Sequence, residues 1–260
     1  MRIPIPKEHG AWAMLLTSLA LGQAAATAVD LPSIYLWLLA VAVFTVREPL
    51  SLLWRPRRRA GFSHRSLKLW AGGWLAAIAL LAGLLLTARG TALLLFALPA
   101  AILFGLQLAW QHTLARWSLP AELAGTAGVT LSAPAAYYAA TGRLGITGAS
   151  LWPVLLAYFA AQVLYVRWQL RAPASKTSGR ASLWTQTLIL AASLALGRAG
   201  LMPPYLFLAF IPGLVKILLA MAAAGSRKRP VAKVGWTEVL YSSLFFFLAV
   251  AAFHVRFPGL

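Results

Sequence analysis

The densest group of residues able to do chemistry lies near the N-terminus, in the string Pro6-Lys7-Glu8-His9-Gly10-Ala11-Trp12-Ala13. Lys7, Glu8 and His9 place a cation, an anion and an imidazole side by side, directly before an apolar segment. We expect them to point into a cytoplasm-facing cavity shared with Arg47 and Arg167, which would form an anion pocket with an imidazole that titrates near neutral pH. We therefore take these three residues as candidate catalytic residues. The alternative interpretation is a helix cap at the membrane interface.

Further charged residues lie at the ends of apolar segments or inside them. The predicted ligand-binding residues are Arg47, Glu48, Glu122, Arg167, Arg171, Lys216 and Glu238. The forked donors of arginine suit a phosphate group, and an ionisable residue inside a membrane segment indicates function by default. Three alternatives stay open. The basic connections would only set the membrane topology, and Glu122 and Glu238 would only stabilise helix N-termini through the helix dipole. Lys216 would form a structural ion pair with a Glu.

Composition indicates what kind of protein these residues belong to. Of the 260 residues, 61% are hydrophobic, 11% are charged and none is Cys. A soluble domain carries roughly 25% charged residues, so this chain has too few to cover a globule in water. A soluble enzyme, a disulfide-rich secreted domain and a disordered basic tail are excluded. Asp30 is the only Asp and no His pair has metal-ligand spacing, so we expect neither a metal nor a cofactor.

The elements that must position the charged residues are membrane-spanning helices of about 20 residues each. Hydropathy predicts an all-α membrane protein forming a single transmembrane domain over residues 1–260, with nine spans. The predicted spans are 10–29, 31–46, 69–88, 91–110, 119–141, 150–166, 183–198, 201–224 and 237–253. The long connections after the second and sixth spans resemble each other. Two parallel four-helix repeats plus a ninth helix, or chance, would account for that similarity.

Charge orients these spans. Eighteen of the 23 Lys and Arg residues lie on one side of the predicted topology and four on the other, with Lys216 inside a span. Since positive charge is retained in the cytoplasm, we predict a cytoplasmic N-terminus and an external C-terminus in a bacterial inner membrane. The basic residues are spread over several connections with no recognition module, so nucleic acid is not an expected partner.

The N-terminal string resembles the hallmark of the YwiC-like family of bacterial membrane proteins, and Gly235-Trp236-Thr237-Glu238 fits that resemblance. The segment Pro120-Ala121-Glu122-Leu123-Ala124-Gly125 is similar, more distantly, to the fifth helix of UbiA-type prenyltransferases. That second resemblance implies a nine-helix bundle with polar connections after helices two and six. The Asp-rich motifs of those enzymes are missing: the corresponding places carry Arg47-Glu48 and Arg167-Trp168-Gln169.

Three functions follow as alternatives. The first is an anionic or isoprenoid-like lipid ligand in a cytoplasm-facing basic cavity, with or without metal-independent transferase activity. The second is a transporter of a small solute or lipid, in which Lys216, Glu122 and Glu238 carry the coupling charges. The third is a structural subunit of a membrane complex. The resemblance favours the first, with membrane lipid as the expected partner, and leaves any protein partner open.

Reporter fusions test the predicted orientation. A fusion after Arg116 or after Lys176 should report the cytoplasm, and a fusion at the C-terminus should report the exterior, because the basic connections are retained inside. Phosphatase and fluorescent-protein reporters give opposite signals on the two sides. A cytoplasmic C-terminus would remove one span and contradict the nine-span topology.

Overall fold

A computed structural model describes residues 9–54, 63–113, 118–171, 175–223 and 231–255, and within these ranges the regular structure is entirely helical. This confirms the predicted all-α class. A 3₁₀ turn at Thr91–Leu93 leads into the fourth helix. The helices are α1 His9–Ala26, α2 Leu31–Trp54, α3 His64–Arg89, α4 Leu94–Thr113, α5 Leu119–Thr130, α6 Ser132–Thr141, α7 Gly145–Arg171, α8 Lys176–Arg198, α9 Phe207–Ala222 and α10 Val231–His254.

Each predicted span coincides with helical structure, but several boundaries differ. The fifth predicted span is divided at Leu131 into α5 and α6. Pro134 accounts for the division, since it has no N–H to donate to the carbonyl four residues earlier. The second and sixth spans continue well beyond the apolar windows, so Arg47 and Arg167 lie on helical turns and not in connections. The eighth predicted span corresponds to α9, which begins only at Phe207, six residues later than predicted.

Several of these helices have the length and composition of membrane spans. Five segments of the described residues meet both criteria: Leu31–Leu53, His64–Arg89, Thr91–Trp110, Gly145–Leu170 and Val234–His254. Gly10–Ala26 and Phe207–Ala222 are shorter apolar helices. The protein is therefore a polytopic membrane protein.

Helix α1 is the centre of the bundle. It packs most closely against α6 and also contacts α2, α5, α7 and α10. Gly22 makes the closest approach, because a Cβ atom at this position would collide with the backbone carbonyl of Ala133. Small residues on α6, among them the buried Ala136 and Ala139, extend the contact. Such small-residue surfaces are how helices in lipid come close enough to gain packing energy.

Asp30, at the α1–α2 turn, connects α2 and α3 at one end of the bundle. Its carboxylate accepts hydrogen bonds from the backbone N–H of Ser33 at 3.0 Å and from its hydroxyl at 2.6 Å, which caps α2. The same carboxylate pairs with Arg89 at the end of α3. Arg89 Nε in turn donates to the carbonyl of Ala139 at 2.6 Å. We call this the Asp30 end; the opposite one, where Arg47, Glu122 and Arg167 lie, is the basic end.

Substitution of Gly22 tests the central position of α1. We expect Gly22→Val to lower the midpoint of thermal unfolding in detergent and the amount of protein in membranes, because overpacking costs about 1–3 kcal/mol. Gly83→Val on α3 is the matched control, since a Cβ there meets nothing within 4 Å. Equal stability of the two variants would show that α1 and α6 do not pack closely.

Candidate functional site

The N-terminal string leads directly into α1. Lys7 and Glu8 lie outside the described residues, and His9 begins the helix with its side chain outside them too. Trp12 packs edge-on against Phe44 of α2, with ring centroids 4.7 Å apart. Gly10 is exposed, and a Cβ there would meet no described atom within 4 Å.

Arg47 and Glu48 lie near the end of α2, at the basic end. Both are half-buried. The guanidinium carbon of Arg47 lies 5.9 Å from the centre of the Phe44 ring, within the range of a cation–π interaction. Phe44 therefore contacts Trp12 on one helix and Arg47 on its own. The α1 string and Arg47, distant in sequence, meet at this ring.

Glu122 and Arg167 form an ion pair between α5 and α7. The distance between Arg167 Nη1 and Glu122 Oε2 is 2.8 Å, and each side chain keeps about a quarter of its surface exposed, 25% for Arg167 and 21% for Glu122. Glu122 also lies in the first turn of α5, where the helix dipole favours an anion. The side chain of Arg171, one turn further along α7, lies outside the described residues.

Lys216 is the most deeply buried charge described, with 2% of its side chain exposed. Its Nζ donates to Glu238 Oε1 at 2.7 Å and to the amide oxygen of Gln162. The same Nζ lies 4.1 Å from the ring centre of Tyr165 and 5.6 Å from that of Tyr241. One ammonium on α9 thus binds oxygens and aromatic faces from both α7 and α10. We call Gln162, Tyr165 and Tyr241 the Lys216 cage.

The cage residues were missed from sequence, although a signal for them exists. Gln162 and Tyr165 are three residues apart on α7, and so are Glu238 and Tyr241 on α10. A spacing of three puts two side chains on one helix face, so each helix presents a polar group beside an aromatic ring. Ser242 lies one turn beyond Glu238 on α10. The hydroxyl of Tyr158 on α7 donates to Ser242 Oγ at 3.2 Å, which continues the α7–α10 contact.

A groove of about 240 Å³ runs along the outside of the bundle between α1 and α10. Its walls are Ala13, Leu16, Thr17 and Ala20 on α1, and Val239, Ser242, Ser243, Phe246 and Phe247 on α10. Leu16 is 43% exposed and Phe247 is 68% exposed, so the groove opens to the outside of the bundle. Ala13 belongs to the N-terminal string. Its small side chain keeps the groove open near the start of α1.

The predicted site residues therefore fall into separate groups. Arg47 meets α1 at Phe44, Glu122 pairs with Arg167, and Lys216 pairs with Glu238. Among the described residues, no three His, Asp or Glu side chains come together as metal ligands would. The expected cavity shared by Lys7, Glu8, His9, Arg47 and Arg167 involves residues outside the described ranges and stays a prediction.

A family model described as YwiC-like protein matches residues 5–137, which is half of the chain. The chain belongs to the YwiC-like family. The match includes the N-terminal string, Arg47, Glu48 and Glu122, and it ends before Lys216 and Glu238. No curated protein and no solved structure matches the chain. The similarity to a UbiA-type bundle therefore stays a prediction.

A comparison of two ion pairs tests how much burial matters at Lys216. We expect Glu238→Leu to destabilise the protein by about 3–5 kcal/mol, because it leaves a buried ammonium without its carboxylate. Glu122→Leu, in the more exposed Glu122–Arg167 pair, should cost only about 0–1 kcal/mol. Thermal unfolding in detergent measures both, and Lys216→Met/Glu238→Leu should be more stable than Glu238→Leu alone. A double variant as unstable as the single one would contradict this account of the pair.

Proposed function

We propose that this YwiC-like protein binds an anionic, isoprenoid-like or similar amphipathic lipid at the basic end of its bundle. The hydrocarbon chain would lie in the α1–α10 groove, and the head group near the start of α1. The observation that carries the proposal is the course of the groove. It runs from Ala13, inside the distinctive N-terminal string, along α1 to Ala20, between the exposed faces of two helices.

The size of the groove favours a lipid over a soluble ligand. Pockets for small molecules enclose roughly 300–1,000 Å³ and bury most of the ligand. A groove of about 240 Å³ with open sides covers only part of a ligand. That is sufficient for a hydrocarbon chain, because the uncovered part of the chain stays in the apolar bilayer. A polar solute would gain nothing from such a surface.

The charges near the start of α1 favour an anionic head group. Arg47 shares the Phe44 ring with Trp12, so its guanidinium lies beside the first turns of α1. Guanidinium groups bind phosphate directly through paired donors. Lys7 and His9 precede Ala13 closely in the sequence, so this proposal places cations and an imidazole beside the head group. Thr17 and Ser243 supply further hydroxyl groups along the groove. Direct contact of this kind requires no bridging metal. In the predicted orientation the head group lies on the cytoplasmic side.

A second candidate function is transport, and the buried Lys216–Glu238 pair favours it. Charged groups inside a membrane are costly to keep, and in transporters such groups bind substrate or coupling ions. The kink-prone Pro212 lies one turn before Lys216 on α9. The two candidates are compatible, since a protein that moves a lipid must also bind it.

Lipid analysis of the purified protein tests lipid binding. We expect Ser243→Trp, which fills the groove, to reduce the amount of the enriched lipid at least several-fold relative to wild type. Leu244→Trp is the matched control: Leu244 is the next residue on α10, 42% exposed, and is not part of the groove wall. Mass spectrometry of lipids extracted from protein purified in mild detergent measures both.

The remaining outcomes separate the alternatives. No lipid enriched over the bulk membrane composition in wild type, or equal enrichment in both variants, would contradict the lipid site. Loss of a co-purifying membrane protein in Ser243→Trp, with lipids unchanged, would identify the groove as a helix-docking surface of a structural subunit. Solute counterflow in proteoliposomes that is lost in Lys216→Met would support transport.

A further inference from the structure

The Lys216 cage supplies more partners than an ion pair requires. A carboxylate and an ammonium at 2.7 Å already neutralise each other. Lys216 Nζ has in addition the amide oxygen of Gln162 and the faces of Tyr165 and Tyr241. An amide oxygen and aromatic faces stabilise a cation without carrying charge. Three such groups from two helices therefore stabilise the ammonium in addition to Glu238.

The two members of the pair differ in exposure. Lys216 is 2% exposed, whereas 19% of the Glu238 side chain reaches the surface. Glu238 lies two turns into α10, on the same end of the bundle as Arg167 on α7. The partly exposed carboxylate, and not the enclosed ammonium, is therefore the group more open to proton exchange. This asymmetry makes Glu238 the proton-exchanging member.

We propose that Glu238 is a proton-binding site with access from the basic end, and that the Lys216 cage keeps the lysine charged while Glu238 is protonated. In the step, a hydronium ion or buffer acid transfers one proton to the Glu238 carboxylate and leaves as water or conjugate base. Lys216 keeps its own proton, and the net charge of the pair rises from zero to plus one. The attraction between α9 and α10 at this position weakens, and the ammonium stays on Gln162, Tyr165 and Tyr241.

The groups that face this site come from each helix packed around it. Glu238 and Tyr241 come from α10 and Tyr165 from α7, with Tyr158 one turn further along α7. Beyond the Tyr158–Ser242 hydrogen bond, the described α7–α10 contact is aromatic: Tyr158 stacks on Phe245 with centroids 3.7 Å apart. In the described α7–α10 contact, the polar side chains that begin at Glu238 therefore end at Tyr158 and Ser242. That arrangement suits a proton-linked change in the α9–α10 contact, not conduction across the membrane.

This inference does not depend on the lipid proposal, and its test uses no lipid readout. Infrared difference spectra of the full-length protein are recorded as the pH is lowered, over the range in which circular dichroism shows an unchanged fold. We expect a reversible carboxylic-acid C=O band in wild type that is absent in Glu238→Gln. We also expect Gln162→Leu to bind this proton about tenfold less tightly, one pH unit, because the ammonium loses a neutral partner.

Two further variants make the result decisive. Gln186→Leu, which removes a buried glutamine of α8 that donates to the carbonyl of Phe210, should leave proton binding at Glu238 unchanged. Tyr241→Leu, at a half-buried position, replaces Gln162→Leu if that variant does not fold. Absence of a Glu238-dependent band while the protein remains folded would overturn the proton site. A band that neither cage variant shifts would overturn the role of the cage.

Discussion

The close packing of α1 against α6 is the contact on which the rest of the structure depends. Gly22 allows the backbone of α1 to approach Ala133, and the small side chains of α6 continue the contact. With α1 so close to α6, its other faces reach α2, α5, α7 and α10. In lipid there is no hydrophobic drive to bring helices together, so such packing of small residues supplies much of the association energy. It also places Trp12 beside Phe44 and Ala13 beside α10.

The small number of acidic residues is the second constraint on the structure. The chain has five acidic residues against 23 Lys and Arg. In the part of the chain that the structure describes, three acids pair with a cation from another element: Asp30 with Arg89, Glu122 with Arg167 and Glu238 with Lys216. The three pairs differ in burial. The two partly exposed pairs connect helix ends at little energetic cost. An ion pair at the depth of Lys216 is expensive to maintain. The cage around Lys216 reduces that cost. In our proposal it also leaves the Glu238 carboxylate able to exchange a proton.

The sequence was sufficient to predict an all-helical membrane protein, the family and the approximate position of each helix, because apolar runs of about 20 residues are typical of membrane-spanning helices. It was insufficient for helix ends. Hydropathy falls where the hydrocarbon of the membrane ends, but the backbone hydrogen bonds of a helix continue beyond that point. Arg47 and Arg167 were therefore predicted to lie in connections, whereas the structure places them on helices. Lys216 was recognised as exceptional, whereas its cage depends on the rotation of α7 and α10 about their axes, which composition does not determine. The groove depends on side chains more than 200 residues apart and had no sequence signal.

The central claim is that the groove between α1 and α10 selects a lipid. Photo-cross-linking in living cells tests it most directly. A photoreactive amino acid at Leu16, in the groove wall, is compared with one at Leu80, a 64% exposed position on α3 outside it. After irradiation, the lipid adducts on the purified protein are identified by mass spectrometry. We predict one dominant anionic or isoprenoid-like lipid class at Leu16 and a mixture matching the bulk membrane at Leu80. The same bulk mixture at both positions would contradict the claim.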